Sequence, residues 1–141
     1  MNDKLIDTNI LVYAYDTSEK EKFLCARNIL LSIWSKGSGY TTVQNLSEFF
    51  IVVTKKVEFP IKASDALSII HDILHSDKWQ VFDRDMYTIE RAIALVERYN
   101  IHLWDALIAQ VMLDNDISTI LTENTNDFQK IPSLSAEDPF R

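Results

Sequence analysis

Asp7 closes an apolar pair, Leu5 and Ile6, and is followed by Thr8 and Asn9 in the stretch KLIDTNILVYAYD. A carboxylate at the C-terminal end of a buried strand sits where open α/β sheets hold their ligands. The same residues also suit a helix start, because Asp, Thr and Asn side chains accept from free N–H groups. Three further places set acids beside apolar sequence. Glu48 lies inside NLSEFFIVV, Asp105 follows Trp104 in LWDALIAQVML, and Glu123, Asn124 and Asp127 follow STILT. Taken singly, each has an ordinary explanation: a solvated helix edge for Glu48, a charge favoured by the helix dipole for Asp105, turn chemistry for TENTNDF. Gathered at one edge, they make a site. Clustered carboxylates repel, rise in pKa and cost stability unless a cation neutralises them. Oxygen ligands without nearby His or Cys point to Mg²⁺ or Mn²⁺, bound partly through water.

Placing those acids together requires alternating strands and helices, and the hydrophobic pattern supplies them. Glu19 to Lys36 carries Phe23, Ala26, Ile29, Leu30, Ile33 and Trp34 at helical spacing, ended by Gly37 and Gly39. Tyr40 to Thr42 reads as a short strand, and Leu46, Phe49, Phe50, Val53 and Val57 mark one face of the next helix. After Pro60, Ser64 is the expected N-cap of a helix lined by Leu67, Ile70 and Leu74. KWQVFD is a third strand ending on Asp83; Ile89, Ala92, Ile93 and Val96 mark a helix after it. LWDALIAQVML is a further helix with Asp105 in its first turn, and STIL is a last strand running into a polar loop. This alternation predicts an α/β fold with a short, mostly parallel central sheet and helices on both faces.

Composition narrows the class. The 141 residues are 47% hydrophobic and predict one domain over residues 1–141. Two glycines and three prolines leave no room for a linker. No leader-like or membrane-spanning run is seen, and the lone Cys25 cannot form an internal disulfide, so a cytoplasmic location is expected. A net charge of −7 excludes a broad nucleic-acid-coating surface, though not a local acidic site reaching nucleic acid through a metal ion.

LIDTNILVYAYD, Glu48 in NLSEFF, LWDALIAQ and ILTENTNDF resemble the four signatures of the PIN-domain nucleases. The resemblance spans nearly the whole chain and is nearest to the VapC-like toxins of toxin–antitoxin pairs. It implies a PIN-like fold, with Asp7, Glu48 and Asp105 as metal-centred acids. It implies Thr8, Asn9 and Thr122 as hydrogen-bonding support. Many members carry aspartate where this chain has Asn124; Glu123 and Asp127 are the acids able to take over that place.

The resemblance further implies a Mg²⁺- or Mn²⁺-dependent endoribonuclease acting on single-stranded or loop RNA, a small antitoxin partner and a homodimer. A non-catalytic module binding RNA or protein, and a DNA-directed nuclease, are the alternatives. Lys55, Lys56, Lys62 and Arg84 are candidate substrate contacts, though each also suits a solvated helix end. His71 and His75, at i and i+4, lack a third ligand in sequence, and His102 reads as a loop residue.

Overall fold

Three residues, Lys4–Ile6 (β1), form the middle strand of a five-stranded sheet in the computed structural model, which describes residues 3–141. Leu5 and Ile6 are both buried and, because successive side chains alternate, enter different cores. A strand apolar on both faces must be covered on both. From β1 the chain runs through α1 (Thr8–Tyr13), α2 (Lys20–Lys36), β2 (Gly39–Thr42), α3 (Val43–Lys55) and α4 (Ala63–His75) to β3 (Trp79–Phe82). It continues through α5 (Thr88–Tyr99), α6 (Leu103–Asp114), β4 (Thr119–Leu121), α7 (Asn126–Gln129) and β5 (Ser135–Glu137). The sheet order is β3-β2-β1-β4-β5, with every pair parallel.

The two faces carry separate cores. Ile6 packs with Leu11 of α1, Leu30 of α2, Phe49 of α3 and Ile73 of α4. Leu5 packs with Ala92 of α5, Leu107 and Met112 of α6, and Phe128 of α7. The α/β architecture expected from the alternation is therefore present, and the sheet is wholly rather than mostly parallel. Strands are added outward on one side of β1, then on the other, so the C-terminal ends of β1 and β4 flank the point where the order reverses. Such a reversal leaves a crevice.

Some local expectations differ. Ser64 does not cap α4; that helix starts after Lys62, with no side-chain cap. The polar loop after β4 contains α7, and β5 follows it. β5 is only Ser135-Ala136-Glu137, too short and polar to show a strand pattern. Backbone pairing holds it, through Ser135 N–H to Ser118 O at 2.7 Å and Thr122 N–H to Glu137 O at 2.9 Å. Gly37 ends α2 with φ of +67°, and a Cβ on Gly39 would meet Ile33 and Trp79 at 2.9 Å, so both glycines are required where they stand.

Candidate active site

Asp7 follows β1 directly and caps α1, so its carboxylate lies at the crevice and is almost wholly buried. Oδ1 accepts from Thr8 N–H at 2.8 Å and from Asn45 Nδ2 at 2.9 Å; Oδ2 accepts from Thr122 Oγ1 at 2.7 Å. Burial pushes its pKa up, and the Glu48 charge adds to this, while the hydrogen bonds oppose it. Asn45 also donates to Thr8 Oγ1 at 3.0 Å, and Thr8 Oγ1 donates to Glu48 Oε1 at 2.9 Å. A continuous network thus joins the end of β1 to α3.

That network explains Asn45, which sequence reading missed. It is wholly buried, three residues before Glu48, hence on the same face of α3. Thr42 caps α3 by accepting from Asn45 N–H at 3.0 Å and donates to Asn45 Oδ1 at 2.7 Å, which leaves the amide nitrogen aimed at Asp7. The available signal was an amide at core spacing in an otherwise apolar helix.

Asp105, in the first turn of α6, is half-buried. Its pKa is pushed up to about 7, by burial first, then by a hydrogen bond with Asp127 and the charges of Asp7 and Asp127. Asp127 is buried, which alone would raise its pKa. Hydrogen bonds from the backbone and ring of His102, and from Asp105, outweigh this and hold it below the usual carboxylate range. Of the pair, Asp105 keeps the proton and Asp127 the charge. One oxygen each of Asp105 and Asp127 and one nitrogen of His102 lie within 4.8 Å of one another.

A cleft of about 600 Å³ opens over these groups, lined by Asp7, Glu48, Asp105 and Asn124. Asp16, Glu19 and Glu58 extend it, making, among the described residues, six carboxylates against a single cation, Lys56. Among the described residues no His or Cys lines it, so its donors are the hard oxygens that suit Mg²⁺ or Mn²⁺. The proton held on Asp105 by burial and by its acidic neighbours is the place a cation would take. The residues fit such an ion.

The other singled-out residues divide. Asn9 spans the site, its Nδ2 donating to Thr122 Oγ1 at 3.3 Å and its Oδ1 accepting from Glu123 N–H at 3.1 Å. Asn124 N–H donates to the same Thr122 hydroxyl at 3.0 Å. The Glu123 carboxylate turns away, paired with Lys22 and accepting from Tyr13 OH at 2.8 Å. Of the two loop acids, the fold therefore brings Asp127, not Glu123, to Asp105. Lys55 and Lys62 are exposed at helix ends, and His71 and His75 stack on the exposed side of α4 with ring centroids 4.2 Å apart. His102 precedes α6 and reaches Asp127, a role beyond that of an ordinary loop residue.

No curated protein matches this chain. Solved structures do. A chain of a toxin–antitoxin complex from Klebsiella pneumoniae is 21% identical, with 97% of this chain and 98% of that one covered at a TM-score of 0.65. VapBC2 from Rickettsia felis, bound to a DNA fragment from its promoter, is 22% identical, with 95% and 96% covered at a TM-score of 0.65. VapC20 of Mycobacterium tuberculosis, a toxin described as cleaving the sarcin–ricin loop, is 14% identical, with 89% and 92% covered at a TM-score of 0.67. Identities this low establish the shared fold. Residues 4–134 match the family described as the PIN domain, and with the crevice acids and the wholly parallel sheet in place, this chain belongs to the PIN-domain family.

Proposed function

We propose that this chain is a metal-dependent endoribonuclease and the toxin of a toxin–antitoxin pair, formed by one PIN domain over residues 1–141. The observation carrying the nuclease reading is Asp105, half-buried against Asp127 and near Asp7, with its carboxyl pushed up to about 7. Carboxylates gathered at a stability cost mark a site built for a cation. The toxin reading rests on the described roles of proteins sharing the fold. A small antitoxin partner and a cytoplasmic location follow from that reading. Among the described residues, no helix is long and apolar enough to cross a membrane. Exposed apolar side chains on α3 and α4, among them Ile51, Leu67 and Leu74, support a homodimer.

Asp7, Glu48 and Asp105 would hold Mg²⁺ or Mn²⁺. When bound, the ion supplies positive charge to offset the phosphodiester and makes water more acidic. Asp7 offers a rigid oxygen: of roughly four acceptor sites on a carboxylate, three are taken by Thr8, Asn45 and Thr122. Glu48 is fixed through Oε1 by Thr8, which leaves Oε2 to accept a proton from the attacking water. Asp127 positions Asp105, and His102 keeps Asp127 charged. Asn124 lines the cleft with an amide that orients water and adds no charge.

Incubation of the purified protein with structured and single-stranded RNA and DNA in Mn²⁺ tests this reading. RNA is expected to be cut, EDTA to stop the reaction, and Glu48→Gln to abolish cleavage without lowering Tm, since the Thr8 hydrogen bond survives. Cleavage of DNA alone would make the protein a DNA nuclease. Absence of any cleavage with Mn²⁺ bound would leave a binding module.

A further inference from the structure

Trp104 leaves 59% of its surface in water although it directly precedes Asp105 in the first turn of α6. The other two tryptophans, Trp34 and Trp79, pack edge to face with centroids 6.1 Å apart. An indole left in water forgoes a large apolar burial, so its position invites a partner. The Trp104 backbone is also tied to α3. Its carbonyl accepts from Gln44 Nε2 at 3.1 Å, and Gln44 Oε1 accepts from the Arg84 guanidinium at 2.9 Å. Gln44 lies one turn before Glu48 on α3, so the two side chains share a helix face. One row on α3 therefore runs from the carboxylate cleft to the Gln44 amide, which joins the Arg84 guanidinium to the backbone of the residue bearing the exposed indole.

Charge says what this place receives. Among the described residues six carboxylates and one lysine line the cleft, which repels a polyanion, so a nucleic acid must be gripped beside the cleft. The Arg84 guanidinium donates to the Gln44 amide and, among the described residues, pairs with no carboxylate, as is true also of Arg27 and Arg98. Aromatic faces stack unpaired bases, guanidinium groups hold phosphates, and a neighbouring amide reads a base edge. We infer that Trp104, Gln44 and Arg84 form a subsite for one unpaired nucleotide beside the scissile phosphate, with its base on the indole and its phosphate on Arg84. The inference rests on the nuclease reading above and adds to it the residues that would hold one unpaired nucleotide. A second copy of the chain fits this place less well, because the polar Gln44 and Arg84 are linked to the Trp104 backbone, while the apolar α3–α4 groove of Val43, Leu46, Phe50, Ile70 and Leu74 does not include Trp104.

The test uses full-length protein carrying Glu48→Gln, with Mn²⁺, and a short single-stranded RNA shown by gel to stay intact. RNA should quench indole emission, and Trp104→Phe should remove the quench while keeping most of the affinity. Trp104→Ala should weaken binding by about tenfold or more, and Arg84→Ala should flatten the salt dependence of binding. In the Glu48-containing protein, Trp104→Ala should lower kcat/KM by a similar factor and leave Mn²⁺ affinity unchanged. Replacing the stacked nucleotide with an abasic residue should erase the difference between the Trp104→Ala variant and its parent, which a merely structural role would not do. Equal binding by Trp104→Ala, or an equal loss on abasic and normal RNA at every position, overturns the subsite. Conversion of a dimer to a monomer by Trp104→Ala assigns the indole to a second copy and also overturns it. Trp104-dependent RNA binding without cleavage by the unaltered protein would keep the subsite and remove the nuclease reading.

Discussion

His102 places two hydrogen bonds on one oxygen of Asp127: its backbone N–H lies 3.0 Å and its ring Nδ1 2.8 Å from Oδ2. The Asp127 carboxylate is thereby held charged, and Asp105, hydrogen-bonded to it, takes the proton. The residue before α6 and the short helix after β4 are thus tied together at the rim of the crevice. That tie bears on pH, on metal affinity and on which loop acid matters.

Stability of the metal-free protein should fall as pH rises. Asp105 has a folded pKa of about 7, raised by burial, its Asp127 hydrogen bond and nearby charge. Its stabilising contribution is complete below the ordinary carboxylate pKa of about 4 and lost as pH passes upward through the folded value. Asp7, also raised, acts in the same sense; Asp127, lowered, acts oppositely, its contribution vanishing as pH falls through its folded pKa. In EDTA, Tm is expected to drop between about pH 5 and pH 8, and saturating Mn²⁺ should reverse the drop. Asp105→Asn should raise the metal-free Tm at neutral pH and flatten its slope. A metal-free Tm that climbs over this interval would place the proton elsewhere.

Mn²⁺ titration by calorimetry, without RNA, should separate the loop acids. Asp127→Asn removes the charge that orients Asp105 and is expected to weaken binding by about tenfold or more, as loss of a supporting partner commonly does. Glu123→Gln should leave affinity unchanged, because Glu123 is engaged by Lys22 and Tyr13. Asn124→Asp adds a carboxylate to the lining of the cleft and should tighten binding. The reverse order of Asp127→Asn and Glu123→Gln would move the fourth corner to Glu123.

Asn45 and Thr122 hold Asp7 from opposite sides, one from α3 and one from the end of β4. Asn45→Ala and Thr122→Val should each cost about 1–3 kcal/mol in urea unfolding, because each leaves a buried polar group short of a partner. Cleavage should fall with both, and the double variant should be non-additive, since the two share one carboxylate. Additive losses, with cleavage intact, would reduce both to ordinary core residues.

Much of the site was legible in local pattern. Asp7 ends an apolar pair, Glu48 interrupts an apolar helix and Asp105 opens another, so residue type and period alone predicted an α/β chain carrying acids at element ends. These are short-range properties, set by backbone period and by which side chains water rejects. Tertiary structure decided what each side chain meets. Glu123 and Asp127 are four residues apart and chemically alike, yet the first turns to Lys22, 101 residues away in sequence, and the second to His102. The partner of Asn45 lies 38 residues away, and β5 has almost no pattern of its own because β4 supplies its hydrogen bonds. Periodicity carries no record of such partners: a carboxylate's charge state depends on distances and burial that exist only once the sheet brings the ends of β1, α3 and α6 to one edge.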